Sequence, residues 1–95
     1  MTKDMFDTIL ERAECTARDD GGSELPEGKT LTLYLSRDGA SLQVGRVIEV
    51  KLDSGIVEAV NNKGELFIMA LEDLFAASVS GGSKSSKGRK AGFLG

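Results

Sequence analysis

Residues 30–53 read TLTLYLSRDGASLQVGRVIEVKLD, and this stretch decides the fold because its apolar side chains recur at every second position. Leu31, Leu33 and Leu35 alternate with polar residues, which is the pattern of an antiparallel strand buried on one face. The Arg-Asp-Gly sequence at 37–39 predicts a tight turn, since Asp and Gly tolerate turn conformations. The chain therefore begins its β structure with a hairpin.

The second strand of this hairpin, predicted over residues 41–53, carries one irregularity. Its apolar side chains occupy even positions, but Arg46 breaks the series and Gly45 stands directly before it. Either the Arg46 side chain points inward, or a β-bulge near Gly45 shifts the register. Glycine inside a strand favours the bulge, which would bend the strand sharply.

The strand pattern continues to residue 79. Three more strands are predicted, over residues 56–60, 65–71 and 75–79, with a helical turn over 72–74. Because residues 65–71 are apolar at both odd and even positions, we expect this strand to be central and covered on both faces.

Together these segments predict a mainly β fold, with five short antiparallel strands in a small, strongly bent sheet. Closure into an SH3-like barrel would pair the edge strands and remove a hazard of aggregation. An open meander of the same strands is the alternative.

An amphipathic α-helix is predicted over residues 3–18, before the β domain. Thr2 can cap its start, and Gly21-Gly22 ends it. Its apolar residues form one stripe at helical spacing: Met5, Phe6, Ile9, Leu10 and Ala13. We expect the stripe to pack on the sheet; the alternative is that Phe6, Ile9 and Leu10 contact a partner or a second copy.

Charge and composition divide the chain into four segments: helix 1–20, linker 21–29, β domain 30–79 and tail 80–95. The net charge of −3 over 95 residues combines −5 for residues 1–28, −2 for residues 29–79 and +4 for the tail. The tail is rich in Gly and Ser, so we expect it to be disordered.

The tail also carries a candidate binding motif, in which basic residues precede two apolar ones: Lys84, Lys87, Arg89, Lys90, Phe93 and Leu94. It is either a solubilising extension or a short linear motif whose basic residues steer it to an acidic surface while Phe93 and Leu94 anchor it. That surface is a partner's or the acidic first segment of this chain, in the same or a second copy. Weak contact with nucleic acid or an anionic membrane is the third possibility.

Composition argues against catalysis. The chain has no histidine and one cysteine, which excludes a disulfide framework, a Cys/His zinc site and histidine-dependent chemistry. Cys15 stands near Glu11 and Glu14, which would raise the pKa of its thiol. The carboxylate pairs Asp19-Asp20 and Glu72-Asp73 suit loop and capping roles. We predict no enzyme, no cofactor and no metal site.

Residues 37–53, followed by 56–60 and 67–74, resemble the PRC-barrel family. The similarity lies in an Asp-Gly turn, a Val/Leu-Gly-x-Val strand, a return strand and a closing apolar strand that ends in an acidic element. The resemblance implies a small intracellular module that binds proteins or RNA-processing partners without catalysis. It transfers no site residues.

We therefore expect a cytoplasmic, non-catalytic protein–protein interaction module, an adaptor or regulatory subunit that can self-associate. The alternative is a small nucleic-acid-binding barrel that uses the tail with Arg37, Arg46, Lys51 and Lys63, although the net negative charge disfavours it. No apolar run approaches the roughly 20 residues of a membrane span, and the charged first residues show no secretory signal.

Overall fold

The computed structural model describes residues 1–81. The part of the predicted disordered tail that follows residue 81 lies outside the described residues. One α-helix, α1, spans Lys3–Arg12. Seven strands follow: β1 Thr16–Ala17, β2 Ser23–Glu24, β3 Lys29–Arg37, β4 Ala40–Asp53, β5 Ile56–Asn61, β6 Leu66–Ala70 and β7 Leu74–Gly81. A 3₁₀ helix, Leu71–Asp73, connects β6 to β7.

The five longer strands form one curled antiparallel sheet in the order β7-β3-β4-β5-β6. The first half of β4 pairs with β3 and its second half with β5, so β4 is shared around the curl. β6 and β7 each pair with a single neighbour. The mainly β prediction is confirmed, in the form of a half-barrel whose edges stay open.

The bend of β4 is produced by a bulge at the predicted place. Leu33 lies opposite Val44 and Leu31 opposite Val47, so β4 supplies one extra residue between these two pairs. Arg46 adopts a positive φ of 57° and its side chain is exposed. The bulge therefore lets Val44 and Val47 both face the core while the charge stays outside.

The core lies inside the curl of the sheet. Leu31, Leu33 and Leu35 are all buried, as the alternation along β3 predicts. They pack with the helix and with the inward residues of the other strands: Phe6, Ala13, Leu25, Val44, Val47, Val50, Val57, Ala59 and Leu74. The helix is therefore part of the domain, as predicted.

The helix ends at Arg12, six residues earlier than the pattern predicts. Glu14 enters the left-handed region, with φ 63°, and its N–H donates to the Glu11 carbonyl at 3.0 Å. The Cys15 N–H then donates to the Leu10 carbonyl, also at 3.0 Å. These two bonds form a Schellman motif, which usually has glycine where Glu14 stands. Without that glycine, the sequence gives no sign of the stop.

Residues 13–28 consequently run along the sheet, where the sequence predicts the end of a helix and a linker. Ser23 in β2 pairs with Val50 in β4, and the Leu25 N–H donates to the Ile48 carbonyl at 2.9 Å. Gly22 makes this approach possible, because a Cβ there would lie 3.0 Å from the Val50 oxygen. The segment thus becomes an added edge of the sheet.

Glu14 gives a first testable prediction. Its carboxylate accepts a hydrogen bond from Lys29 Nζ at 2.8 Å, which lowers the pKa of Glu14. Glu14→Gln removes the ion pair but keeps the strained φ, whereas Glu14→Gly removes both. We expect the glycine variant to melt about 5 °C above the glutamine variant, measured by circular dichroism at neutral pH.

The pH dependence of the same variants supplies the control. Because the folded pKa of Glu14 is lowered, the stability from its charge is present above the unfolded pKa and is lost as pH falls through the folded pKa. The advantage of the native chain over Glu14→Gln should therefore disappear in acid. Equal melting temperatures of the glycine and glutamine variants at neutral pH would show that the positive φ of residue 14 does not destabilise the fold.

Candidate functional site

Cys15 is a half-buried thiol after the helix, and its surroundings do not activate it. Burial raises the pKa of the Cys15 thiol, and the nearby Lys29 cation partly opposes the change. The sequence also predicts a raised pKa for this thiol, but the main cause is burial rather than the charges of Glu11 and Glu14. A thiol with a raised pKa is a poor nucleophile at neutral pH.

One carboxylate of each predicted pair has a structural partner. Asp20 Oδ1 accepts the Gly22 N–H at 2.9 Å, and this backbone bond is the main cause of the lowered pKa of Asp20. Asp73, in the 3₁₀ helix, lies 3.6 Å from Arg37 Nε. Both contacts hold turns in place.

Residues 1–81 contain neither a metal-binding cluster nor a membrane-spanning helix. No group of three or more Cys, Asp or Glu side chains in this range is placed to hold a metal ion. The same range has no helix whose length and hydropathy suit a bilayer span.

The apolar stripe of α1 is turned toward the chain's own sheet. Phe6 is 1% exposed and belongs to the core, while Ile9 and Leu10 are half-buried against it. Phe6 therefore offers no free surface to a partner, although the sequence gives it as a candidate partner-binding residue. A partner role for Ile9 and Leu10 stays a prediction.

The structure does not bring the four basic candidates of the β domain into one patch. Arg37 stands beside Asp73 at the β3–β4 turn, whereas Lys51 lies opposite Glu58 near the other end of β4. Only Arg46 and Lys63 are near one another, because the Asn62 N–H donates to the Arg46 carbonyl. Nucleic-acid binding through these residues with the tail stays a prediction. The tail candidates (Lys84, Lys87, Arg89, Lys90, Phe93 and Leu94) lie outside the described residues.

β6 departs from its prediction and gives the clearest candidate surface. The sequence predicts a central strand, but β6 is an edge strand paired only with β5. Leu66 is 54% exposed and Ile68 is 64% exposed on its outer face, beside the exposed Ile56 and half-buried Val60 of β5. We call these four residues and the free edge of β6 the β6 surface.

The backbone of β6 is also open on this side. The Asn61 N–H donates to the Glu65 carbonyl, and the Leu71 N–H donates to the Gly55 carbonyl, so odd-numbered residues bond toward β5. Antiparallel ladders alternate, so the even-numbered residues direct N–H and C=O away from the sheet. These are Leu66, Ile68 and Ala70. At Leu66 and Ile68 an exposed side chain and outward backbone groups therefore belong to the same residue, whereas Ala70 is half-buried.

Asn61 holds the hairpin that presents β6. Its side chain is buried, and Oδ1 accepts the Lys63 N–H at 3.0 Å and the Glu65 N–H at 2.9 Å. Nδ2 donates to Glu65 Oε1 at 2.7 Å. This one side chain therefore fixes the turn and the position at which β6 begins.

Acidic residues border the β6 surface. Asp20, Glu49 and Glu58 line a depression together with Leu66, and Asp19 and Glu24 line the next one. The two cations in these depressions are Arg18 and Lys51, so the net charge there is −3. Arg18 pairs with Asp20 at 3.3 Å and with Glu49, which leaves Asp19, Glu24 and Glu58 without an ion pair among residues 1–81.

A second exposed apolar group lies on the other half of the sheet. Phe75 is exposed and its ring centre lies 6.4 Å from that of Tyr34, whose hydroxyl lies 3.2 Å from Ser78 Oγ. Leu42 on β4 is nearby and is 64% exposed, the same fraction as Ile68. β7 is also an edge strand, paired only with β3, so this surface differs from the β6 surface in having a depression lined only by neutral residues.

Comparison of the chain with models of protein families, with curated proteins and with solved structures finds no match. The resemblance to PRC-barrel proteins therefore stays a prediction. The sequence did not single out Leu66 and Ile68 as site residues. The available signal was that their strand has apolar residues at both odd and even positions, which indicates a strand that needs cover on both faces.

Proposed function

We propose that this chain is a non-catalytic, intracellular protein-interaction module that binds an extended partner segment along β6. One observation carries the proposal: β6 has the composition of a strand covered on both faces, yet its outer face and one edge are uncovered. Because apolar surface is stabilised by leaving water, a partner that covers Leu66 and Ile68 would gain free energy.

The free edge supplies the second part of the interaction. An extended segment placed beside β6 would pair with the outward N–H and C=O groups of Leu66, Ile68 and Ala70. Natural edge strands usually carry charges or proline that prevent such pairing, but residues 66–70 (Leu-Phe-Ile-Met-Ala) contain neither. An unprotected edge beside exposed apolar side chains is typical of strand addition.

The acidic border defines the chemistry of the partner. Glu58 lies directly opposite Ile68 and has no ion pair among the described residues, and the unpaired Asp19 and Glu24 line the depression next to the one that Leu66 lines. We therefore expect the partner segment to combine basic residues with one or two large apolar ones. Opposite charges would speed association and fix orientation, while the apolar contact would carry most of the affinity.

Peptide selection with two matched variants tests this function. Peptides would be selected from a random display library on the full chain, and their affinities measured by isothermal titration calorimetry. Ile68→Lys should weaken binding about tenfold or more, because it places a charge on the contact and blunts the edge. Leu42→Lys changes an equally exposed strand residue elsewhere and should leave affinity within about twofold.

The same experiment can reject the function. If no peptide is selected, or if Leu42→Lys weakens binding as much as Ile68→Lys, the β6 surface is not the binding site. The selected peptides should also contain basic and apolar residues. Selection of acidic peptides would show that the acidic border does not choose the partner.

A further inference from the structure

We infer that the occupant of the β6 surface in the free protein is the chain's own C-terminal segment, residues 82–95, which lies along β6 in the same molecule. The inference rests on the proposed function, since it names a ligand and a regulator of that same surface. A partner would then bind by displacing the tail. Charge, apolar content and chain length support the assignment.

Charge complementarity separates the β6 surface from the other exposed apolar group. The tail has a net charge of +4 from its Lys and Arg residues and contains no Asp or Glu. The depression that Leu66 lines has three carboxylates and two cations, and the depression adjoining it adds Asp19 and Glu24, so the two together have a net charge of −3. The platform around Tyr34 and Phe75 has no such excess of carboxylates, because the depression there is lined by neutral residues. The tail is therefore attracted to the β6 side of the sheet.

The tail has its cations close to its apolar residues, and the β6 surface likewise has an acidic residue close to its apolar ones. Its basic residues end at Lys90, and Phe93 and Leu94 follow three and four residues later, about 10 Å away in an extended chain. Glu58 on β5 lies directly opposite Ile68 on β6, so acidic and apolar features are one strand apart. Adjacent residues of an extended segment face opposite sides, so one of Phe93 and Leu94 would lie on Leu66 and Ile68, which leaves the cations of the tail within reach of Glu58 on the neighbouring strand.

The length of the tail allows this contact within one molecule. Fourteen residues follow Gly81, and an extended chain of that length spans about 46 Å. The longest dimension of the molecule is 37 Å. A tethered segment has an effective concentration of the order of millimolar, so a contact of modest intrinsic affinity is well populated in one molecule.

Hydrogen exchange on the full chain tests the inference. The amides of Leu66, Ile68 and Ala70 would be followed by NMR in the native chain and in the double variant Phe93→Ala/Leu94→Ala. We expect these amides to exchange about tenfold faster in the variant, because a contact present nine-tenths of the time slows exchange by that factor. Exchange in β3 should be unchanged, since both proteins keep the same folded core.

Two surface variants provide the charge control. Glu58→Lys should speed exchange of the same three amides, because it repels the tail from β6. Glu72→Lys reverses an equally charged, exposed residue on the 3₁₀ helix, away from the acidic border, and should have little effect. If both variants behave alike, the contact is not directed by the β6 border.

Other outcomes overturn the inference. Unchanged β6 exchange in the Phe93→Ala/Leu94→Ala variant shows that the tail does not cover β6, and protection that grows with protein concentration assigns the contact to a second copy. If the tail variants change nothing while selected peptides still bind at β6, the tail contact fails and the proposed function stands. If the tail protects β6 but no peptide is selected, the proposed function fails on its own.

Discussion

Phe6→Ala should lower the free energy of unfolding by about 3–5 kcal/mol, the largest effect expected from a single substitution outside the strands. Phe6 is 1% exposed and fills the core beneath the sheet, so its removal leaves a cavity and uncouples the helix. Urea unfolding followed by circular dichroism measures the loss.

Met5→Ala is the matched control for this prediction. Met5 is the neighbouring helix residue and is 49% exposed, so its truncation should cost less than about 1 kcal/mol. A Phe6→Ala loss as small as that of Met5→Ala would show that the helix does not pack on its own sheet. The helix stripe would then be available to a partner.

Asn61→Ala should cost about 2–4 kcal/mol, because two backbone N–H groups lose their shared acceptor at a buried site. The affected donors are those of Lys63 and Glu65, which close the β5–β6 hairpin. The same urea titration measures the loss. Because the hairpin would fray more often, the amides of β6 should also exchange faster.

Two neighbouring substitutions show whether the buried acceptor is responsible. Asn62→Ala changes an exposed residue of the same turn and should cost under about 0.5 kcal/mol. Asn61→Asp keeps an oxygen for both N–H groups but places a second carboxylate beside Glu65, so it should be less harmful in acid than at neutral pH. An Asn61→Ala cost as small as that of Asn62→Ala would contradict the role of Asn61.

The strands could be predicted because their signals are local. The period of two in β3, the Asp-Gly turn and the glycine before Arg46 each act over a few residues, and they place β3, β4 and the bulge correctly. The end of α1 was not predictable, because Glu14 occupies a conformation that usually indicates glycine.

The candidate site could be predicted only in part. The sequence shows that β6 is apolar on both faces, but which strand lies at an edge depends on pairings between distant residues. The acidic border likewise combines Asp20 with Glu49 and Glu58, which come together only because β4 pairs with both β2 and β5. The charge segregation along the chain is visible in the sequence, but the position of the acidic residues on the fold is not.

The most direct measurement of the central claim is a chemical-shift map of the isotope-labelled full chain as a selected basic, apolar peptide is added. A binding surface at β6 predicts the largest shifts at the amides of Leu66, Ile68 and Ala70, with smaller changes at Glu58. The largest shifts around Tyr34, Leu42 and Phe75, or along α1, would contradict it.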